Sequence, residues 1–239
     1  MGSSYHQFCP VSKAMELLDE RWTMLVVREL VCGSQKFNDL RRGLPRISPT
    51  LLSKRLNQLV RAGVIERHVE GREVRYLLTP AGVELRPIVE ALGAWGVRWV
   101  GQLGDDDLDP SLLLWDIHRH VDLTAVPKRR TVVHFQFPDV PPRSRCWWLV
   151  ITADDVDVCD TDPGHDVDVA VRADLRTMTE LWQGDITWSD ALRSGGVTVT
   201  GPAPLRRALP QWLTLSPFAS VPRAPRSGPG SGPVSRAET

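Results

Sequence analysis

The chain of 239 residues lacks any apolar run long enough to span a membrane. Its best apolar stretch, "CWWLVI" at 146–151, has the length of a strand. The first residues, "MGSSYHQFCPVSK", lack the hydrophobic region of an export signal. We therefore predict a cytoplasmic protein that does not insert into membranes.

Paired cysteines and the common catalytic motifs are also missing. The four cysteines are scattered and form no CxxC pair, which argues against a zinc site or a disulfide framework. No GxSxG, P-loop or dinucleotide-binding fingerprint occurs. In "WDIHRHVD" only Asp116 and His120 would share a helix face, and no third metal ligand follows at a suitable spacing. We therefore predict no enzyme activity, no metal and no cofactor.

The charges are distributed unequally, although their sum is zero. Residues 1–103 contain 15 lysines and arginines against 10 acidic residues, whereas residues 104–239 contain 14 against 19. Between Lys36 and Arg61, seven basic residues face only Asp39. This asymmetry indicates two domains with different partners, the basic one a candidate for binding nucleic acid.

The N-terminal half has the element order of a winged helix-turn-helix. Helices are predicted from Pro10, across "WTMLVVRELVCG" and across "KFNDLRRGL". A fourth begins after Ser48, a good N-cap followed by Pro49. "VIERHV" and "EVRYLL" then predict a hairpin over 64–78, and Thr79-Pro80 open one helix to about residue 103. Its stripe of Leu92, Trp95 and Trp99 could form a dimer surface.

The fourth helix carries leucines on one face and polar residues on the other. Such a stripe is often only a solvated surface. Here its side chains could also grip phosphates and reach base edges, Asn57 being suited to adenine and Lys54 or Arg61 to guanine or phosphate. The predicted DNA contacts are Lys36, Arg41, Arg42, Ser48, Thr50, Ser53, Lys54, Arg55, Asn57, Arg61, Arg72 and Arg75.

Three segments resemble the HxlR family of winged-helix transcription regulators: "CPVSKAMELLDERWTMLVVREL", "KFNDLRRGLPRISPTLLSKRLNQLVRAGVIER" and "RYLLTPAGVEL". The resemblance covers about residues 8–103. It implies a dimer that binds double-stranded DNA, with its first and last helices in the dimer contact, residues 48–61 as recognition helix and 68–75 as wing. The segment "VEGREVRY" is shorter than the usual wing of the family and lacks its prolines.

Cys9 immediately precedes the first helix, where some members of that family use a thiol to sense oxidants. A helix N-terminus lowers a thiol pKa and favours reactivity. The alternative is a small residue that packs near the dimer contact. The absence of a nearby second cysteine favours this alternative.

In the C-terminal half, apolar and polar residues alternate as they do in the strands of a sheet. Strands are predicted at 131–137, 146–151, 156–160 and 167–173, the last two joined by a turn at "TDPGH". Helices follow in "DLRTMTELWQG" and "SDALRSGG", then a strand "VTVTG" and a helix "PLRRALPQWL". The acidic residues between 154 and 166 lack the glycine and the closing glutamate of a calcium loop. They are better explained as the solvent side of a hairpin.

From "DPGHDVDVAVRADL" to "LPQWL" this half resembles the sterol carrier protein-like domains, over roughly 110–218. That resemblance implies an apolar tunnel between sheet and helices, and a possible lipid-like or other apolar effector. Trp115, Trp147 and Trp182 could line it. For any single tryptophan, however, an ordinary place in the core is the simpler explanation.

The predicted fold class is α+β: an N-terminal winged helix-turn-helix domain followed by an α+β domain with an antiparallel sheet. The domain bounds are 1–103 and 111–221, with a linker at 104–110 and a disordered tail at 222–239. The predicted function is a homodimeric regulator of transcription that binds a palindromic operator, with an apolar ligand as modulator. The alternative is a lipid or small-molecule carrier whose winged helix serves mainly for dimerisation.

Overall fold

The computed structural model describes residues 4–100 and 103–224. Its N-terminal elements follow the predicted order. They are α1 (Pro10–Leu18), α2 (Thr23–Val31), α3 (Phe37–Arg42), α4 (Pro49–Arg61), β1 (Ile65–Glu70), β2 (Glu73–Leu78), α5 (Pro80–Val83) and α6 (Arg86–Trp99). The β1–β2 hairpin turns at Gly71, whose φ of 59° suits glycine. The winged helix-turn-helix fold is therefore confirmed.

Local capping fixes where several of these helices begin. The Ser48 hydroxyl accepts a hydrogen bond from the Leu51 N–H at 3.2 Å, and the Thr79 hydroxyl accepts one from the Gly82 N–H at 3.2 Å. The single helix predicted from Pro80 is wrong, because the chain forms α5 and α6 with a break between them. Pro87 explains the break, since it has no N–H to donate to the carbonyl of Val83.

The C-terminal domain is a sheet with helices around its core. Its elements are α7 (Pro110–His118), β3 (Thr131–Gln136), β4 (Cys146–Ile151), β5 (Val156–Cys159), β6 (Val169–Ala173), α8 (Leu175–Gln183), α9 (Trp188–Ser194), β7 (Val197–Thr200) and α10 (Ala203–Trp212). The sheet has the strand order β5-β4-β3-β6-β7. All pairs are antiparallel except β3–β6, so the sheet is mixed.

The strand order shows that the predicted hairpin between β5 and β6 is wrong. β6 pairs with β3 and β7 instead, in the interior of the sheet. Its Val169, Val171 and Ala173 are buried, which suits a central strand. β5 is short and exposes Asp157, which suits an edge.

Two separate hydrophobic clusters support the two domains. The first includes Val27, Leu40, Leu52, Leu56 and Ile65, all nearly inaccessible. The second extends from Leu113 on α7 to Leu213 after α10. Between them, residues 103–109 contain one 3-10 turn at Asp105–Asp107. None of the helices among residues 4–100 and 103–224 is long and apolar enough to cross a membrane.

The last described residues, up to Ala224, return to the first domain. The Ala224 N–H donates to the Arg98 carbonyl at 3.0 Å, and Arg223 forms an ion pair with Asp185. The Phe218 ring lies against Gly93 of α6, so closely that a Cβ there would come within 2.3 Å of it. Residues 222–224 of the predicted tail are thus held in place, and the remainder from 225 lies outside the described residues.

Candidate nucleic-acid interface

The polar face of α4 is exposed and has side chains that are free to bind a partner. Thr50, Ser53, Lys54, Asn57 and Arg61 line a concavity of about 410 Å³ together with Gln58. Within the described part of the chain, none of these five side chains makes a hydrogen bond or an ion pair. The opposite face buries Leu52, Leu56 and Leu59 in the first cluster. The helix is therefore fixed by its leucines and leaves its polar groups available to a ligand.

Arg55 differs from the other predicted contacts on α4 because it points into the protein. Its side chain is nearly inaccessible and forms an ion pair with Glu20 at 2.7 Å. Its Nε also donates to the Arg21 carbonyl at 2.9 Å, and Nη1 donates to Gln58 Oε1 at 2.7 Å. This geometry suits a residue that positions α4 against the segment before α2. The helical period alone does not separate it from its neighbour Lys54.

The basic residues around α4 fall into two groups. Arg41 and Arg72 are exposed, with no hydrogen-bond partner for either side chain between residues 4 and 224 as described. Lys36 and Arg75 are exposed too, but both form ion pairs with Glu73 of β2. These two cations are therefore already partly neutralised by a carboxylate that lies next to the turn of the hairpin.

Arg42, at the end of α3, turns toward the second domain. Its guanidinium carbon lies 5.3 Å from the centroid of the Trp115 ring, and Nη1 lies 3.6 Å from Asp157. One predicted phosphate contact thus touches both α7 and β5. The C-terminal domain reaches the helix-turn-helix directly at this position.

A buried ion pair joins the two domains beneath Arg42. Glu29 of α2 is fully buried and bonds to Arg119, which follows α7 and is itself only 10% exposed. The Arg28 side chain, the Ser34 hydroxyl at 3.1 Å and the Trp115 indole N–H at 3.3 Å also donate to the Glu29 carboxylate. Burial alone would raise the pKa of Glu29, but Arg119 and Arg28 hold that pKa below its ordinary value.

Glu29 and Arg119 are not among the residues predicted from the sequence, in which the neighbouring Asp116 and His120 were candidate metal ligands. Asp116 and His120 do not converge as ligands, because Asp116 contacts Arg119 at 3.3 Å and His120 donates to the Asp116 carbonyl. The glycine in "RRGL", Gly43, is the one sequence feature that bears on this site, because it marks a place where the backbone approaches another group closely. Gly43 lies where any Cβ would come within 1.9 Å of the Glu29 carboxylate.

The three tryptophans predicted to line a tunnel have separate surroundings. Trp115 lies at the domain junction, and the Trp147 indole N–H donates to the Ser144 carbonyl at 2.8 Å. Trp182 borders a cavity of only about 10 Å³. That volume is about the minimum for one water molecule, so this part of the core is closely packed.

Cys9 is the N-cap residue of α1. The nearby backbone N–H groups of Ser12 and Val11, in the first turn of the helix, lower the pKa of the thiol. A larger thiolate fraction increases nucleophilicity toward oxidants at neutral pH.

Comparisons with known proteins match the N-terminal domain. A family profile described as HxlR-like helix-turn-helix matches residues 17–103. The HTH-type transcriptional regulator YvaP of Bacillus subtilis is 35% identical over 111 residues, which cover 45% of this chain and 95% of that protein. The regulator sll1512 of Synechocystis is 37% identical over 97 residues, covering 39% of this chain and 72% of its own.

A solved structure shows a likeness over a similar extent. The reduced form of the transcriptional regulator YodB from Bacillus subtilis has 29% identity and a TM-score of 0.36, covering 40% of this chain and 100% of that one. Since the family profile ends at residue 103, the resemblance of the second domain to sterol carrier protein-like domains stays a prediction.

Proposed function

This chain belongs to the HxlR-like helix-turn-helix family, and on that premise we propose that it is a transcription regulator that binds double-stranded DNA as a homodimer. The observation that carries the proposal is the exposed polar face of α4. Five adjacent hydrogen-bonding side chains without partners among the described residues suit a helix that lies in a major groove.

Each group on this face has a chemical counterpart on DNA. The Asn57 amide can donate to N7 or accept from N6 of adenine, and Lys54 and Arg61 can donate to guanine or to phosphate. Ser48, Thr50 and Ser53 lie in the first turns of α4, where hydroxyl and backbone N–H groups suit a phosphate. Arg41 and Arg72 add phosphate contacts on either side. Arg55 would act indirectly, by holding α4 at its angle.

The dimer is supported by apolar side chains on α1 and α6. Every residue of these two helices retains exposed surface, and both helices pack against α2. Leu92, Trp95 and Trp99 of α6 are each more than half exposed, and Val11 of α1 is also exposed. Burying such a surface against a second copy would relate two α4 helices by a twofold axis. Two half-sites about 34 Å apart, or a multiple of this, would then form a palindromic operator.

The C-terminal domain is proposed to modulate DNA binding in response to an apolar or amphipathic ligand. Its support is the direct route from that domain to the helix-turn-helix, through the Glu29–Arg119 ion pair and through Arg42 against Trp115. A ligand that shifts this junction would alter DNA affinity by a coupling of about 1–3 kcal/mol. Cys9, with its lowered pKa, is a second proposed input, through oxidation.

Selection of bound duplexes from a random pool tests the proposal. The expected result is an enriched palindrome whose half-sites lie one helical turn, or a multiple, apart. Affinity for that palindrome should fall steeply with salt, because phosphate contacts release counterions. Enrichment of no sequence by the full chain would refute the proposal. It would leave the carrier alternative, in which the winged helix serves only for dimerisation.

A further inference from the structure

A surface groove lies between α9, β7 and α10 in the C-terminal domain. Its volume is about 350 Å³, at the lower end of the roughly 300–1,000 Å³ typical of small-molecule sites. Most of its lining is apolar and comprises Trp188, Leu192, Val199, Ala203 and Pro210. An apolar body with a flat aromatic or branched aliphatic part would therefore fit its floor.

Two arginines give the groove a positive charge. Arg206 and Arg207 line it, and both are exposed. Across the described residues, neither side chain makes a hydrogen bond or an ion pair. They are the fourth and fifth residues of α10, whose first turn contains no acidic residue. The positive end of the helix dipole disfavours two cations there, so an anion in the groove would relieve that repulsion.

Trp188 connects the groove to the interior. Its side chain lines both the groove and the cavity of about 10 Å³ beside Trp182. The indole Nε1 of Trp188 is buried and has no hydrogen-bond partner in the described part of the chain. A ligand with an acceptor near this nitrogen would satisfy it. Movement of the ring would open the groove toward the core.

The wall of that small cavity continues to the proposed dimer helix. It includes Leu213, Thr214 and Leu215. The next residue, Ser216, donates its backbone N–H to the Trp182 carbonyl at 2.9 Å, and two residues later Phe218 lies on Gly93 of α6. Displacement of Trp188 would thus be transmitted over a short stretch of chain to α6.

We propose that this groove binds a small amphipathic carboxylate, whose acid group pairs with Arg206 and Arg207 and whose apolar body lies on Trp188 and Leu192. This site differs from an internal tunnel lined by Trp115, Trp147 and Trp182. The inference deepens the proposed function, because it gives the modulating ligand a place and a charge. Binding of the carboxylate can nevertheless be measured without DNA.

The test uses 2-naphthylacetate and its uncharged isostere 2-naphthylacetamide, titrated calorimetrically into the full chain. The acid should bind more tightly than the amide, by roughly tenfold, because only the acid brings a full negative charge to the two arginines. The double variant R206Q/R207Q should lose that preference. The matched variant R130Q/R143Q removes two exposed arginines elsewhere in the same domain and should bind like the original protein.

A second variant guards against misfolding of the double variant. Leu192 is 45% exposed, so Leu192→Glu should be tolerated by the fold. Its carboxylate would pair with the arginines and repel the acid, again by roughly tenfold. Equal binding of acid and amide, an unchanged affinity in both groove variants, or no binding at about 1 mM would overturn the proposal.

DNA titration of the same preparation separates the two proposals. A protein that binds its selected palindrome but not the acid refutes the groove and leaves the regulator. A protein that binds the acid through Arg206 and Arg207 but enriches no DNA supports the groove and refutes the proposed regulator.

Discussion

All residues of α1 and α6 in the N-terminal domain keep exposed surface, whereas α7 and α8 in the C-terminal domain bury five and four residues. The exposed side chains of α1 and α6 include large apolar ones, above all Trp95 and Trp99. The C-terminal domain thus buries one side of α7 and one side of α8 in its own core. The N-terminal domain presents an apolar face of the kind that a second copy would cover.

The two domains also differ in how they use charge. On the side of the N-terminal domain that carries the polar face of α4, cations such as Arg41 and Arg61 are exposed. At the junction, Glu29 and Arg119 are withdrawn from water and satisfy each other. Exposed cations contribute little to folding and remain available to a partner, while a buried pair is costly to break. The same residue types therefore join the two domains at the junction and stand exposed around α4, where we propose that they contact DNA.

The largest expected effect comes from breaking this attachment. Glu29→Ala would leave Arg119 buried with the longer, 3.3 Å contact to Asp116 as its remaining ion pair, and should lower the free energy of unfolding by about 3–5 kcal/mol. Urea denaturation followed by tryptophan fluorescence would measure the loss. Separate transitions for the two domains would show in addition that the ion pair couples them.

Glu84→Ala is the matched control for that measurement. Glu84 is exposed and forms no ion pair among the described residues, so its loss should change stability by no more than about 0.5 kcal/mol. If both variants unfold at the same urea concentration, the junction is not the stabilising contact described above.

Dimerisation should show the next largest effect. Trp95 is 57% exposed at the middle of the α6 stripe, and Trp95→Arg places a charge where an apolar contact is proposed. A central aromatic contact contributes about 2–4 kcal/mol, so the dimer dissociation constant should rise roughly thirtyfold or more. Sedimentation equilibrium would measure it. Val167→Arg, at a residue 44% exposed on the C-terminal domain, should leave the constant unchanged.

A weaker effect is expected for base recognition, and here the kind of change matters more than its size. Asn57→Ala should cost about 1–3 kcal/mol per half-site on the selected palindrome and little on duplexes with that base pair changed in both half-sites. Arg41→Ala should weaken all duplexes alike and reduce the salt dependence by about two counterions, one for each protomer of the dimer. Fluorescence anisotropy at several salt concentrations distinguishes the two outcomes. If Asn57→Ala weakened binding to all duplexes equally, that side chain would contact only the DNA backbone. Arg130→Ala serves as a control for the loss of one positive charge.

Helix starts and the winged-helix order were predictable because their causes are local. Ser48 and Thr79 cap the turns that immediately follow them, and the leucines of α4 repeat at the helical period. The break before α6 was predictable in principle from Pro87, but the long apolar stripe concealed it. Candidate contacts on α4 could be proposed for the same local reasons, although the period did not show that Arg55 is buried.

The features that escaped prediction depend on residues far apart in the chain. Glu29 and Arg119 are separated by 90 positions, and each alone would be assigned to the surface. The parallel pairing of β6 with β3 likewise depends on which strand reaches the centre of the sheet. The groove at Arg206 forms only when α9, β7 and α10 meet. Composition and spacing carry no direct information on such encounters.

The smallest expected effect concerns pH at the domain junction. The His118 ring of α7 is tilted by 33° against the Trp115 ring, with centroids 4.1 Å apart, and its Nδ1 donates to the Trp115 carbonyl. Burial, reinforced by the nearby Arg119 and Arg42, lowers the pKa of His118 from 6.5 to about 4. The unfolded chain therefore binds a proton at His118 between pH 6.5 and 4 that the folded chain does not bind. The stability that neutral His118 provides is complete above pH 6.5 and is lost as the pH falls toward 4.

His118→Asn removes this proton uptake while keeping a donor for the Trp115 carbonyl. Between about pH 7 and 5 the original protein should lose about 1 kcal/mol more stability than the variant, once the partial exposure of His118 is allowed for. Asp116 acts in the opposite direction, because burial raises its pKa, but its contribution is common to both proteins and cancels in the comparison. Urea titrations at the two pH values give the difference. Equal pH dependence in the two proteins would mean that His118 has the same pKa at the junction as in the unfolded chain.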